Sequence, residues 1–242
     1  MERAKIEVCY SPALFPYYEN RDAVVVVTDI LRASSAIVTA FMNGVHRIIP
    51  VGTLDEARAY KEKGYMVAAE RDGIVRDFAD FGNSPFNFTP ERVKDKEIVY
   101  STTNGTQAIH QASTGRQVLI GAWLNLSALV RHIRSEGSDL LVLCAGWKNK
   151  FNLEDTLFAG ALAQRVLEGE GHDTICDATL GAIDLYEAAS QDMMGYIEKV
   201  AQRHRLRKNN LDDVIGYCHE VDRTGLIPVL EGNSLVLLKD HK

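Results

Sequence analysis

Apolar residues along this chain fall into short unbroken runs separated by stretches of helical period. The densest run, Val24, Val25, Val26 and Val27, shows no polar alternation at all. A strand of that composition is buried on both faces, and such strands belong to sheets covered by helices on each side. Further strands are predicted at 6–9, 45–51, 65–69, 97–101, 118–120 and 140–144. Residues 33–42 carry helix formers on an apolar face and stop at Asn43-Gly44, while Thr53 and Glu56 are spaced as a capping box for a helix over 54–63. Helices are also predicted from about 107, at 126–135, and from a cap at Asn152 to Leu167. The rhythm is βαβα. It predicts an α/β fold, a three-layer α/β/α arrangement around a mostly parallel or mixed central sheet. Residues 12–20 and 73–90 read as loops, the second built around Gly82-Asn83-Ser84-Pro85. Past Asp173 the pattern becomes helical, at 179–190, 193–203 and 211–219, and ends on an apolar run at 234–238. The chain reads as one domain with a helical C-terminal third, with two lobes dividing near 110–120 as the alternative.

Asp29 follows the valine strand directly, and Ser34 and Ser35 fall where the next helix should start. In open α/β sheets ligands bind at that carboxyl edge, where a helix N-terminus points into the crevice. Helical N–H groups, two hydroxyls and the Arg32 guanidinium together hold an anion, whereas Asp29 beside them repels it. Mg²⁺ bridging a carboxylate and a phosphate oxygen reconciles the two. Taken alone, the stretch reads equally well as an aspartate cap with a solvated arginine. The pattern recurs, however. Glu70-Arg71-Asp72-Gly73 follows the 65–69 strand, Thr102-Thr103-Asn104-Gly105-Thr106 follows 97–101, Ala145-Gly146 follows 140–144, and Glu154-Asp155 opens a helix. Walker, GxGxxG, HExxH and GxSxG signatures are absent. The aspartate-nucleophile DxDx motif would need an acid where Leu31 stands.

Composition narrows the partners. A formal net charge of -6 argues against a nucleic-acid backbone or an anionic membrane as the main partner, so an anion site must be local. Cys9, Cys144, Cys176 and Cys218 are widely spaced, without a zinc pattern, and read as reduced cytosolic thiols. Charges and prolines interrupt the N-terminal residues before a signal-like apolar stretch forms, and no run approaches membrane-spanning length. The basic residues Arg203, His204, Arg205, Arg207 and Lys208 read as a solvated helix end.

In wording, order and spacing, DILRAS (29–34), GNSP (82–85) and TTNGT (102–106) resemble the 2-phosphosulfolactate phosphatase family, over roughly residues 24–160. The resemblance implies a cytosolic, Mg²⁺-dependent phosphomonoesterase of coenzyme M biosynthesis. It further implies a homodimer acting on a small, doubly anionic phosphorylated three-carbon acid. Carried onto this chain, it implies Asp29, Arg32 and Glu70 as catalytic residues, and Asp29, Glu70 and Asp155 as metal ligands, with Asp155 preferred to Glu154. Ser34, Ser35, Arg71, Asn83, Ser84, Thr102, Thr103, Asn104 and Gly105 would surround the substrate. The nucleophile stays open among cation-activated water, Asp29 and Cys144. Ala69 and Asp72 stand where the family tends to have glycine, and the extra carboxylate at Asp72 would repel the substrate or join the metal shell. Two alternatives remain at this stage: a phosphatase of the same build acting on another phosphorylated hydroxy acid, and a non-catalytic anion-binding module.

Overall fold

The computed structural model describes residues 3–18 and 22–239, so positions 19 and 20 of the loop expected at 12–20 lie outside the described residues. Its strands are β1 (Ala4–Cys9), β2 (Val24–Thr28), β3 (Arg47–Pro50), β4 (Met66–Arg71), β5 (Ile74–Val75) and β6 (Glu97–Ser101). They continue with β7 (Gln117–Gly121), β8 (Leu140–Cys144), β9 (His172–Asp173), β10 (Pro228–Glu231) and β11 (Ser234–Leu237). All belong to an 11-stranded sheet in the order β5-β4-β6-β3-β11-β10-β7-β2-β8-β1-β9. The fold is mixed α/β with a mostly parallel sheet, as the βαβα pattern predicts.

Burial follows the pattern. Strand β2 lies between β7 and β8, and its four valines are at most 2% exposed, because both faces are covered. In the β4-β6-β3 block, alternate residues separate into two cores. Ile48, Ala68, Ile98 and Tyr100 join the main core, while Ile49, Ala69 and Val99 pack with Ala57 of the helix Leu54–Glu62. That helix begins as expected: Thr53 Oγ1 accepts from Glu56 N at 3.2 Å and Glu56 Oε2 accepts from Thr53 N at 3.0 Å.

Two parallel blocks, β4-β6-β3 and β7-β2-β8-β1-β9, are joined by the antiparallel hairpin β10-β11. The register of the hairpin against the two blocks sets Leu235 opposite Ile48 and Val229 opposite Leu119. Three antiparallel joints between β3 and β7 set the blocks in opposite senses along the sheet. Nevertheless, Lys148 N behind β8 donates to Asn104 Oδ1 behind β6, at 2.9 Å. The carboxyl ends of both blocks therefore meet, which requires the sheet to coil through the hairpin.

Several expected elements change. The stretch 73–90 holds β5, which pairs back onto Glu70 and Arg71, and a 3-10 turn at Pro85–Asn87. The helix expected from 107 begins at Gly105. The expected 193–203 helix is interrupted at Val200, whose backbone is extended, so Met193–Tyr196 and Ala201–Lys208 are separate helices. The expected 211–219 helix reduces to a 3-10 turn, Asp212–Val214, and Ile215–Cys218. The last apolar run is β11, and β9 and β10 had not been expected. Among the described residues, no helix is long and apolar enough to cross a membrane.

Candidate active site

Asp29 leaves β2 and turns at once into the helix Ala33–Met42. Its Oδ1 accepts from Ala33 N at 3.2 Å and its backbone oxygen from Ser34 N at 2.9 Å, so the capping role is real. Its other oxygen, Oδ2, faces Gly105: a Cβ there would lie 2.9 Å from Oδ2 and 2.7 Å from Ala33 Cβ. Only glycine lets the TTNGT turn approach the acid this closely.

The strand ends named by the sequence converge. Buried Glu70 accepts from Thr103 N at 2.8 Å, from Thr103 Oγ1 and, at 2.7 Å, from Gly73 N, which ties the β4-β5 turn to the turn after β6. Thr102 and Thr106 cap the helix Gly105–Ala112 reciprocally through hydroxyls and backbone N–H groups. Buried Arg32 donates from Nη2 to Asn83 Oδ1 at 2.7 Å, binding the GNSP turn to the β2 turn. Asp155, fully buried, accepts from Ile30 N at 2.8 Å, from Asn152 Nδ2 at 2.9 Å and from Gly146 N at 3.1 Å. It thus staples the β2 and β8 ends to the helix Leu153–Leu167. After β8, Lys148 and Asn149 both have positive φ in a turn closed by Trp147 and Lys150, which projects Lys148 back across the site.

Other expected residues are used differently. The Ser34 hydroxyl accepts from Asp29 N, and the Ser35 hydroxyl donates to Ile30 O, so both are spent inside the turn. Arg71 folds back onto the Glu70 and Gly52 carbonyls and the Ser101 hydroxyl. Ser84 starts the 3-10 turn without a side-chain cap bond. Cys144 is wholly buried, and burial pushes its thiol well above the ordinary range, which leaves little thiolate for attack.

Glu154 is the acid the sequence reading passed over. It is 2% exposed, and its Oε2 has no hydrogen-bond partner among the described residues. Burial, and after it the Asp29 carboxylate, raise its affinity for a proton, while Arg205 opposes the shift. Asp29 is raised by burial, then by Asp155 and Glu70, against the pull of Ala33 N–H and Arg32. Asp155 is raised by burial and then by Glu154. Negative charge in this cluster is under-compensated. Among the described residues, no three acid, histidine or cysteine side chains are already gathered to enclose a cation by themselves. The donor set still suits Mg²⁺, which takes one or two carboxylates and completes its shell with water and phosphate oxygens. Glu70 and Asp155 are heavily engaged as acceptors, so Asp29 Oδ2 and Glu154 Oε2 are the oxygens best left to serve it.

The C-terminal helix Ala201–Lys208 also reaches the site, which corrects the reading of its basic residues as merely solvated. The Arg205 guanidinium stacks 4.2 Å from the Trp147 ring centroid, and Gln202 Nε2 donates to Leu31 O at 3.2 Å. No local sequence signal marks this contact. Asp72 has φ 55° and pairs with Lys148 at 2.7 Å.

Fold and site together define an α/β protein with a buried cluster of acids and arginine at the carboxyl ends of its parallel strands. The 2-phosphosulpholactate phosphatase family model matches residues 9–233, and the chain belongs to that family. A relative from Caldanaerobacter subterraneus subsp. tengcongensis is 34% identical over 218 residues, covering 88% of this chain and 89% of the relative. One from Thermotoga maritima is 34% identical over 222 residues, with 92% and 94% covered. One from Clostridium novyi is 32% identical over 227 residues, with 93% and 96% covered. All three bear the name "Probable 2-phosphosulfolactate phosphatase".

Proposed function

We propose that this chain hydrolyses 2-phosphosulfolactate to sulfolactate and phosphate with the aid of Mg²⁺. The observation that carries the reading is the gathering around Asp29 of buried Glu154, whose Oε2 has no hydrogen-bond partner among the described residues, and of the buried Arg32 guanidinium. Acids alone would repel a phosphorylated substrate, and arginine alone would not explain uncompensated carboxylates. Asp29 and Glu154 would hold the cation, which supplies charge neutralisation at the phosphoryl oxygens when bound.

Arg32, fixed by Asn83, donates to the phosphoryl oxygens. Lys148 and Arg205 meet the carboxylate and sulfonate at the outer side. Water attacks phosphorus in line as the ester P–O bond breaks. A carboxylate of the cluster takes one water proton and returns it to the departing sulfolactate oxygen, leaving hydrogen phosphate. Water is the attacking group because Asp29 would be taken up by the cation and the buried Cys144 thiol stays protonated. A cytosolic homodimer completes the proposal, and light scattering of the purified chain reads its assembly state.

Phosphate release from 2-phosphosulfolactate, phospholactate, phosphoglycerate and phosphoglycolate tests the reading. Turnover led by 2-phosphosulfolactate is expected. Turnover led by another acid would keep the reaction and replace the substrate, and no release from any would favour a binding module.

A further inference from the structure

Tyr100 stands in β6 one residue before Ser101, and its side chain is wholly buried. In the parallel ladder Ala68 is opposite Tyr100, and Ala69 is opposite Ser101. Strand alternation therefore sends Ala68, Glu70 and Tyr100 to one face, and Ala69, Val99 and Ser101 to the other. Packing agrees, since Ala68 and Tyr100 lie in the main core while Ala69 and Val99 lie in the smaller one.

The Tyr100 ring sits edge-on to Phe88 with centroids 5.9 Å apart, and Phe88 sits edge-on to Phe81 at 5.0 Å. Those two phenylalanines flank the turn carrying Asn83, the partner of Arg32. The ring thus supports the arginine clamp from beneath. Its hydroxyl, however, has no hydrogen-bond partner among the described residues, although it is buried. The charges acting most strongly on it are those of Asp29, Glu70 and Arg32. A buried hydroxyl left unpaired lowers stability, and a phenylalanine would fill the same space without that cost. The hydroxyl is accounted for if its partner arrives with the ligand.

We propose that Tyr100 is a further substrate-contacting residue, whose hydroxyl donates a hydrogen bond to an oxyanion of the bound phosphorylated acid beside Arg32. The inference rests on the phosphatase reading of this site and adds a neutral donor to its charged ones. Such a donor stabilises oxyanion charge without drawing the Asp29 and Glu154 carboxylates away from a cation.

The test is Tyr100→Phe in the full chain, measured by phosphate release from 2-phosphosulfolactate, by inhibition with inorganic phosphate and by thermal unfolding. The expected result has opposite signs: Tm unchanged or raised, kcat/KM lowered about tenfold or more, and phosphate inhibition weakened. Equal kcat/KM and equal phosphate inhibition at unchanged or higher Tm would overturn the proposal and make the ring a filler. A lower Tm with a matching loss of activity would also overturn it, by showing that the hydroxyl has a partner within the fold. Should the wild type release no phosphate from any substrate, the phosphatase reading fails separately. Calorimetric binding of inorganic phosphate then decides the donor: weaker binding by Tyr100→Phe supports it, whereas equal binding, or none by the wild type, overturns it.

Discussion

Lys148 Nζ lies 2.7 Å from Asp72 Oδ1, so the turn after β8 is tied by charge to the turn after β4 across the mouth of the site. The pair neutralises a carboxylate that would otherwise repel an anionic ligand. Both side chains are exposed, so the pair contributes only about 0–1 kcal/mol to stability. Its effect on an anionic ligand should be larger than its effect on folding. Lys148→Ala is expected to raise KM about fivefold with little change in Tm, and adding Asp72→Asn should recover part of the loss. Equal KM values in wild type and both variants would remove the pair from substrate binding.

Gly105→Ala tests the close approach of the TTNGT turn to Asp29. The added methyl would stand 2.7 Å from Ala33 Cβ and 2.9 Å from Asp29 Oδ2, both on rigid elements. A loss of about 1–3 kcal/mol in stability is expected, with a fall in kcat out of proportion to it. Denaturant unfolding and steady-state kinetics on the same preparation separate the two effects.

Glu154 and Asp155 adjoin in sequence but should respond oppositely. Asp155→Asn turns an amide toward backbone donors that a carboxylate now accepts, and should cost about 1–3 kcal/mol. Glu154→Gln removes a charge whose Oε2 has no partner among the described residues. It should leave the chelated protein equally stable or more so, while abolishing the rise in Tm on adding Mg²⁺. Retention of that rise would return the ligand role to Asp155.

Stability should depend on pH in an unusual direction. Asp29, Glu154 and Asp155 all bind protons more tightly in the folded chain, chiefly because they are buried beside one another. A raised folded pKa gives stability that is complete below the unfolded value of about 4 and is lost as pH rises through the folded value. In chelator, Tm should therefore fall from about pH 5 to about pH 8, and Mg²⁺ should raise Tm more at the higher pH. A flat profile, or an equal effect of Mg²⁺ at both pH values, would contradict the charge balance described for the cluster.

Much of this site was legible because chemistry follows strand ends. The valine run fixed β2 between helices, and Asp29, Glu70, the TTNGT turn and the Glu154-Asp155 pair each follow a strand or open a helix. The choice within that last pair was not legible. Adjacent residues in a first helical turn point about 100° apart, and only the β2 and β8 loops decide which one is saturated with N–H donors. Strands β5 and β9 have two residues each, too few to show a period, and β10 and β11 owe their central place to pairing with strands far away in sequence. Arg205 lies about fifty positions beyond the Glu154-Asp155 pair, so no local pattern could announce its stacking on Trp147. Tyr100 falls inside the predicted 97–101 strand, where nothing in the sequence shows that its hydroxyl is left unpaired among the described residues.

The central claim is most directly tested by phosphate release from 2-phosphosulfolactate, for the wild type and Asp29→Asn, first in chelator and then with Mg²⁺ restored. The account predicts that the wild type is silent in chelator and active with Mg²⁺, while the folded Asp29→Asn variant stays silent in both. Full wild-type turnover in chelator, or near-normal turnover by Asp29→Asn, would contradict it.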